Sequence, residues 1–323
     1  MKYLPISLSV ILYLLLYFLR FQQGGWEIES NIFEEQRNFL NEKIKEFLSS
    51  PKSELLSGMI LGHRENLPGE LRLALRDTST IHIVVVSGQN LTLLAGLIMN
   101  LSGVLTRRVT IIFATLAVIG YLLLSGVQIP ALRAAIMVSL AYTAQILGRE
   151  NDGFWGLGLA AGLLLLINPA WISDLSFILS FLATFGVVVV APILAKHISF
   201  LPHFLKETVA VTVAAQLMVT PVIAQNFHQF SLVSIPANLL ILWTVPYIMV
   251  GGIFMLFLGT LWVFAGQVVA LALNVLLSYF IYVVSFFGSL PFAWEYVGEQ
   301  IWIVWIGYYC ILAGVLMVIN KKN

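Results

Sequence analysis

Charged residues are scarce in this chain. Asp, Glu, Lys and Arg make up 10% of 323 residues, where a soluble domain carries about 25%. That deficit excludes an ordinary soluble fold, because part of any soluble surface must be covered by polar side chains. Cysteine is nearly absent. Cys310 is the single one, so neither an intrachain disulfide nor a cysteine-based metal site is available, and its apolar surroundings mark it as a packing residue. The histidines, His63, His82, His197, His203 and His228, are scattered without an H-x-H pair. No metal site and no cofactor are implied, and the clustered His and Asp ligands of a metal-dependent nuclease are missing. The net charge of +1 gives no global attraction to nucleic acid.

Apolar residues are abundant, at 59%. They fall in long continuous runs, not in period-2 alternations of about ten residues, which argues against a membrane β-barrel. In lipid every backbone polar group needs an internal partner, so the spanning elements are helices. The fold class is therefore all-α, a polytopic transmembrane helical bundle. A span needs about 20 apolar residues. Candidate spans lie at 4–21, 82–103, 109–126, 130–147, 154–168, 175–195, 208–224, 231–262, 266–288 and 300–319, which makes about ten. The run 231–262 is too long for one straight span. It holds Pro236, Pro246, Gly251 and Gly252, and proline kinks a helix by removing a hydrogen bond, so it reads as a broken or re-entrant helix.

Four parts follow: an N-terminal transmembrane helix (1–21), an extracytoplasmic segment (22–80), a transmembrane domain (81–319) and a short basic tail (320–323). The first run has no A-x-A-like cleavage site and closes at Arg20, so it reads as a retained span and not a signal peptide. Segment 22–80 carries ten acidic and seven basic residues. Within it, 31–48 spaces Ile32, Phe33, Leu40, Ile44, Phe47 and Leu48 at roughly helical intervals, which predicts an amphipathic helix on the membrane surface. Residues 55–61 are a second, weaker candidate, and Pro68 opens a short helix. Lys and Arg set the orientation. Lys2, Arg107, Arg108, Arg149, Lys196, Lys206, Lys321 and Lys322 fall in one set of connections, while 127–129, 168–173, 225–230 and 289–299 hold none. That asymmetry predicts cytoplasmic termini and a multi-pass protein of the plasma membrane. Gly158 and Gly162 form a GxxxG whose small residues let helices approach, read as internal packing.

Polar groups at membrane depth are the functional signal, since each is costly unless paired or hydrated. The second run contains His82, then Ser87, Gly88, Gln89 and Asn90. The amides there serve either as hydrogen-bond glue between helices or as a polar lining. Arg133 follows Pro130 by three residues. It either reaches the interface or faces a hydrated path, where a guanidinium holds a phosphate or an acid. Asp174 is the candidate acid, with helix capping as its alternative role. Gln216 precedes Pro221, and Asn238 follows Pro236; structural repair around the prolines and a shared lining are both open.

These residues fall in a familiar order. His82-Ile-Val-Val-Val-Ser87-Gly88 resembles the HLLAVSG signature of the ComEC competence family, inner-membrane channels for DNA uptake. Gly62 through Arg72 is similar to that family's G-x-R-x-x-L-P lead-in, and Pro130-Ala-Leu-Arg133-Ala to its P-x-x-R-A element. Asn168 to Phe181 resembles its DP…F-Q-L-S-F segment, and Gln216 to Pro221 with 231–238 its closing motif. The resemblance covers about 58–250. It implies a path for single-stranded DNA, with Ser87, Arg133, Asp174 and Asn238 on or near it, and separately encoded partners such as a DNA receptor, a helicase or a nuclease. The chain departs from the pattern at Gln89-Asn90, where the family has a histidine, and at Ile178, where it has glutamine. Neither an OB-like domain nor a metallo-β-lactamase-like nuclease is legible, so no enzymatic activity is expected. The alternatives are a transporter or membrane scaffold with another substrate, and an intramembrane serine hydrolase using Ser87. The hydrolase is disfavoured because His82, five residues away on one helix, points to a different face, and serine needs an adjacent base.

Overall fold

The computed structural model describes residues 4–26, 33–63, 66–84, 88–103, 105–146, 152–198 and 202–321. Ser87 lies outside them, as does the side chain of Gln89. The helices are α1 (Leu4–Gln23), α2 (Glu34–Phe47), α3 (Lys52–Leu61), α4 (Gly69–Asp77), α5 (Ile81–Val84), α6 (Gly88–Met99), α7 (Arg107–Leu124) and α8 (Ile129–Ile146). They continue with α9 (Gly153–Ile167), α10 (Leu175–Phe185), α11 (Ala191–His197), α12 (His203–Phe227), α13 (Ser234–Ile241), α14 (Val245–Leu261), α15 (Val263–Gly288) and α16 (Trp302–Lys321). Two short strands, β1 (Gln229–Ser231) and β2 (Trp294–Tyr296), pair antiparallel with Phe230 opposite Glu295.

The all-α bundle is as expected, but the span count is lower than ten. Among the described residues six helices are long and apolar enough to cross a bilayer: Arg107–Leu124, Ile129–Ile146, Leu175–His197, Leu205–Phe227, Val263–Gly288 and Trp302–Lys321. A seventh candidate is α13 with α14, bent by 44°. The difference has local causes. The run 154–168 forms α9, stopped after 15 residues at Asn168, whose side chain turns back to accept from the Ala170 N–H at 3.0 Å. The run 82–103 contributes α5 and α6, with 85–87 between them outside the described residues. The run 4–21 forms α1, where the side chains of residues 4–10 are likewise outside them.

The ribbon settles the bent pair. Hydrogen-bonded strands share one side of the membrane, so the chain between β1 and β2 crosses an even number of times. The 26-residue α15 is about 39 Å long at 1.5 Å per residue and crosses once. α13 and α14 therefore read as one broken span, which brings the candidates among the described residues to seven; α1, whose first side chains lie outside the described residues, is not among those counted. Pro236 lies in the first turn of α13, where no helical N–H partner is lost.

The main core joins α2–α8 to α13–α15; a smaller one joins α11, α12 and α16. A π turn at Gly186–Val190 links α10 to α11. It is needed for a close approach: a Cβ on Gly186 would sit 2.6 Å from the Ala214 carbonyl oxygen. Gly162 packs against Tyr13 of α1, whose hydroxyl donates to the Gly162 carbonyl at 3.2 Å, whereas nothing lies within 4 Å of a Cβ added to Gly158, so the two glycines do not act as a packing pair.

The amphipathic helix predicted at 31–48 is present as α2. The weaker candidate at 55–61 is different in kind from its reading as a surface helix. In α3 every residue from Leu55 to Leu61 is buried, and Leu56 and Ile60 close on Gly252 of α14. Its apolar side chains point all round, so it belongs inside the protein.

Candidate functional site

Arg133 is the centre of the site. It projects from the second turn of α8 and is 7% exposed. Its Nη1 donates to the Ser180 carbonyl of α10 at 3.0 Å, and its Cζ lies 5.8 Å from the Phe181 ring centroid. Nη2 packs on Gly88 at the start of α6: a Cβ there would come within 2.7 Å of it. Glycine is what lets the guanidinium lie between α6, α8 and α10. Pro130 stands in the first turn of α8, its preferred place.

The expected acid partner is not there. Asp174 caps α10 instead, accepting from the Phe177 N–H at 2.9 Å. Its own helix offers a donor three residues on. Among the described residues the ion pairs join Lys43 to Glu46, Lys45 to Glu42 and Arg76 to Asp77, and none involves Arg133. The Nε is buried without a hydrogen-bond partner. A guanidinium has five N–H donors, and among the described residues one acceptor, the Ser180 carbonyl, is hydrogen-bonded to them.

The other polar candidates divide among helix contacts. Asn90, 1% exposed, donates to the Met59 carbonyl at 3.3 Å, and Tyr121 of α7 donates to the same oxygen at 2.9 Å. Met59 lies in the last turn of α3, whose carbonyls have no helical donors. Asn90 thus joins α6 to α3 by a hydrogen bond. Gln216 accepts from the Ser234 hydroxyl at 3.1 Å, which joins α12 to α13. Asn238 donates to the Ser234 carbonyl at 2.9 Å, while its Oδ1 is buried without a partner. Pro221 sits inside α12. His82 is exposed, its Nδ1 at 2.9 Å from the Ser79 carbonyl.

The structure thus brings Gly88 to Arg133 and gathers Gln216, Ser234 and Asn238, while Asp174 caps its own helix and Asn90 joins α6 to α3. Sequence reasoning missed Ser180 as an acceptor, because a backbone carbonyl carries no residue signature. It also missed Tyr121, and Tyr308 and Tyr309 of α16, which donate to carbonyls of α12. A cleft of about 490 Å³ lies apart from these groups, between α4 and α15, with Glu70 and Asp77 on its wall.

The membrane bundle with this buried cation has relatives. The family model described as Competence protein matches residues 59–322. ComE operon protein 3 of Bacillus subtilis (strain 168) is 28% identical over 189 residues, 58% of this chain and 24% of that protein. The Escherichia coli (strain K12) protein described as Uncharacterized protein YcaI is 29% identical over 214 residues, 62% of this chain and 28% of that protein. The chain thus spans about a quarter of the length of these relatives. No solved structure matches. With most of its length inside the family model and a bundle of membrane-spanning helices around it, the chain is a multi-pass membrane protein of the competence family.

Proposed function

We propose that the bundle passes one strand of DNA across the plasma membrane, with both chain termini in the cytoplasm. Competence is the uptake of free DNA, and the family supports a role in it. The observation that carries the strand reading is Arg133. An arginine at the centre of a spanning helix costs about 2.5–3.5 kcal/mol on insertion scales; Arg133, in the second turn of α8, is buried inside the bundle, and no described acid offsets its charge. A buried guanidinium whose Nε has no hydrogen-bond partner is a binding group for an oxyanion, and a phosphodiester backbone supplies one negative oxyanion per nucleotide. A receptor, a helicase or a nuclease encoded elsewhere would act on the strand before or after it. Hydrolysis by this chain is not part of the proposal.

The test is internalisation of labelled DNA, measured as nuclease-protected label, in DNA-competent cells that carry this protein. Arg133→Ala is expected to lower it at least tenfold with normal amounts of protein in the membrane, and Arg133→Lys to retain part of it. Wild-type uptake by Arg133→Ala would overturn the reading. The second reading, a transporter or scaffold for another substrate, is favoured by Asn90, Asp174 and Gln216, whose polar groups hold helices and do not stand free. It gains if loss of the whole protein leaves DNA uptake unchanged.

A further inference from the structure

The cleft of about 490 Å³ between α4 and α15 lies at a definable level of the membrane. Its α15 wall runs from Ile281 through Ser285 to Ser289, over the last two turns of that helix. α15 is about 39 Å long and the hydrocarbon core about 30 Å thick, so about three residues project at each end. Exposed aromatics mark both boundaries, Trp262 before the first turn and Trp294 and Tyr296 of β2 beyond the last. Such rings settle where lipid headgroups meet water. Ser285 and Ser289 therefore stand at headgroup level on the ribbon face, and Ile281 stands in the hydrocarbon beneath them.

The cleft also opens beside lipid. Phe264, Val268, Leu271, Val275, Tyr282 and Phe286 are exposed along α15 at whole-turn intervals, an apolar stripe that suits acyl chains. Ile281 and Ser285 each stand one position before a stripe residue, about 100° round the helix, so the cleft borders the stripe. α4 forms the other wall. Its Leu71 and Leu75 are buried in the core, and its Ala74 packs on Gly288, where an added Cβ would come 3.0 Å from the Ala74 Cα. That packing turns Glu70, Leu73 and Asp77 to the cleft.

The charged groups on the wall are both acidic. Asp77 is paired with Arg76 at 3.0 Å, while Glu70 takes part in none of the ion pairs among the described residues. Carboxylates at the headgroup boundary repel an anionic headgroup and hold an ammonium by charge-assisted hydrogen bonds. The Ser285 hydroxyl on the facing wall can donate to a phosphate oxygen. Leu73 and Ile281 supply apolar contact below, which a free polar cation or a basic peptide side chain would leave unused. The volume lies within the range of about 300–1,000 Å³ common for small-molecule sites. We propose that the cleft holds a zwitterionic phospholipid of the ribbon-face leaflet. Its ammonium sits on the Glu70 carboxylate, its phosphate toward Ser285 and one acyl chain over Leu73 and Ile281. The lipid then clamps α4 to α15.

The experiment uses the full chain in vesicles of equal parts phosphatidylethanolamine and phosphatidylglycerol. One or the other lipid carries a photoreactive diazirine on an acyl chain. Cross-linked peptides are read by mass spectrometry, and labelling of α4 and the end of α15 is divided by labelling of α16, whose exposed face reports bulk lipid. The ethanolamine probe is expected to label the cleft several-fold more than the glycerol probe. Glu70→Gln with Asp77→Asn, which keep the side-chain shapes, should bring the two probes level. Ser285→Trp, which fills the cleft from an exposed position, should lower cleft labelling by the ethanolamine probe to the level of bulk lipid. Equal labelling of the wild-type cleft by both probes, or preference for the glycerol probe, overturns the proposal. So does a preference that survives the double change or the tryptophan. No DNA enters the experiment, so its failure leaves the Arg133 uptake test standing, and the converse also holds.

Discussion

The Tyr308 hydroxyl donates to the Leu217 carbonyl at 3.0 Å, and Leu217 is the residue four before Pro221. Proline has no N–H, so this carbonyl of α12 has lost its helical donor. Tyr309 does the same for the Met218 carbonyl at 2.8 Å, and Trp305 Nε1 donates to Gln225 at 2.6 Å. Thr220 donates back to the Gln216 carbonyl at 2.6 Å. α16 is therefore fastened to α12 through the Leu217 carbonyl that the proline exposes, and through the Met218 carbonyl and the Gln225 side chain beside it. Hydrogen bonds between membrane helices average about 0.6 kcal/mol and reach about 1.7. Tyr308→Phe should destabilise the protein within that range in a detergent unfolding titration. In a Pro221→Ala background, where residue 221 again offers an N–H to Leu217, the same change should cost measurably less. Equal costs in both backgrounds would contradict the repair role.

Asn90 and Tyr121 share one acceptor, the Met59 carbonyl. Each single change, Asn90→Ala or Tyr121→Phe, leaves the other donor in place and should cost about 1 kcal/mol or less. The double change strips a buried helix end of both donors and should cost more than the two singles added. Thermal unfolding of the four proteins closes this cycle. Additive costs would mean that the two donors do not act on a common oxygen.

The close approach of α10 to α12 rests on Gly186, where a Cβ would lie 2.6 Å from the Ala214 oxygen, an atom of backbone that cannot swing away. Gly186→Ala should therefore destabilise by about 1–3 kcal/mol, the usual range for overpacking. Gly96→Ala is the matching control, because nothing lies within 4 Å of its added carbon and a helical alanine is favoured over glycine by about 1 kcal/mol. The two substitutions should move the unfolding midpoint in opposite directions.

Much of this was legible in the sequence, and the reasons for the rest are physical. Apolar runs of span length place α7, α8, α12, α15 and α16, because lipid imposes length and apolarity together. The amphipathic spacing places α2. The reach of the following segment was not legible: Lys52 and Ser57 look like surface residues until Asn274 and Asn41, far away in the chain, accept from them. Hydropathy ranks transfer from water and says nothing about depth inside a bundle. Arg133 was legible as an outlier, but its partner was not. Sequence names side chains, and its acceptor is a backbone carbonyl.

Gly88 and Arg133 can be separated from each other by size. Gly88→Ala brings a methyl group within 2.7 Å of Nη2 and 3.0 Å of the Ala134 Cβ. The flexible end of the arginine can give way, so the protein should fold, with the guanidinium displaced from Ser180. Uptake is then expected to fall several-fold with membrane levels unchanged. Normal uptake by Gly88→Ala would show that the position of the guanidinium does not matter.

Arg133→Met tests whether the cation is kept for function or for the fold. Methionine fills much of the same volume without charge. The change removes one hydrogen bond, but the Ser180 carbonyl keeps a second donor, the Thr184 hydroxyl at 2.9 Å, so no acceptor is orphaned. It also removes a buried cation with an unpartnered Nε. Replacing buried charge by well-packed apolar groups is often neutral or stabilising by about 1–4 kcal/mol. Arg133→Met should therefore unfold at equal or higher denaturant than wild type while losing uptake. A structural arginine would behave in the opposite way, with stability and uptake falling together. Measured side by side, the two quantities distinguish a residue that holds α8 to α10 from one that the bundle carries at a cost because a passing oxyanion needs it.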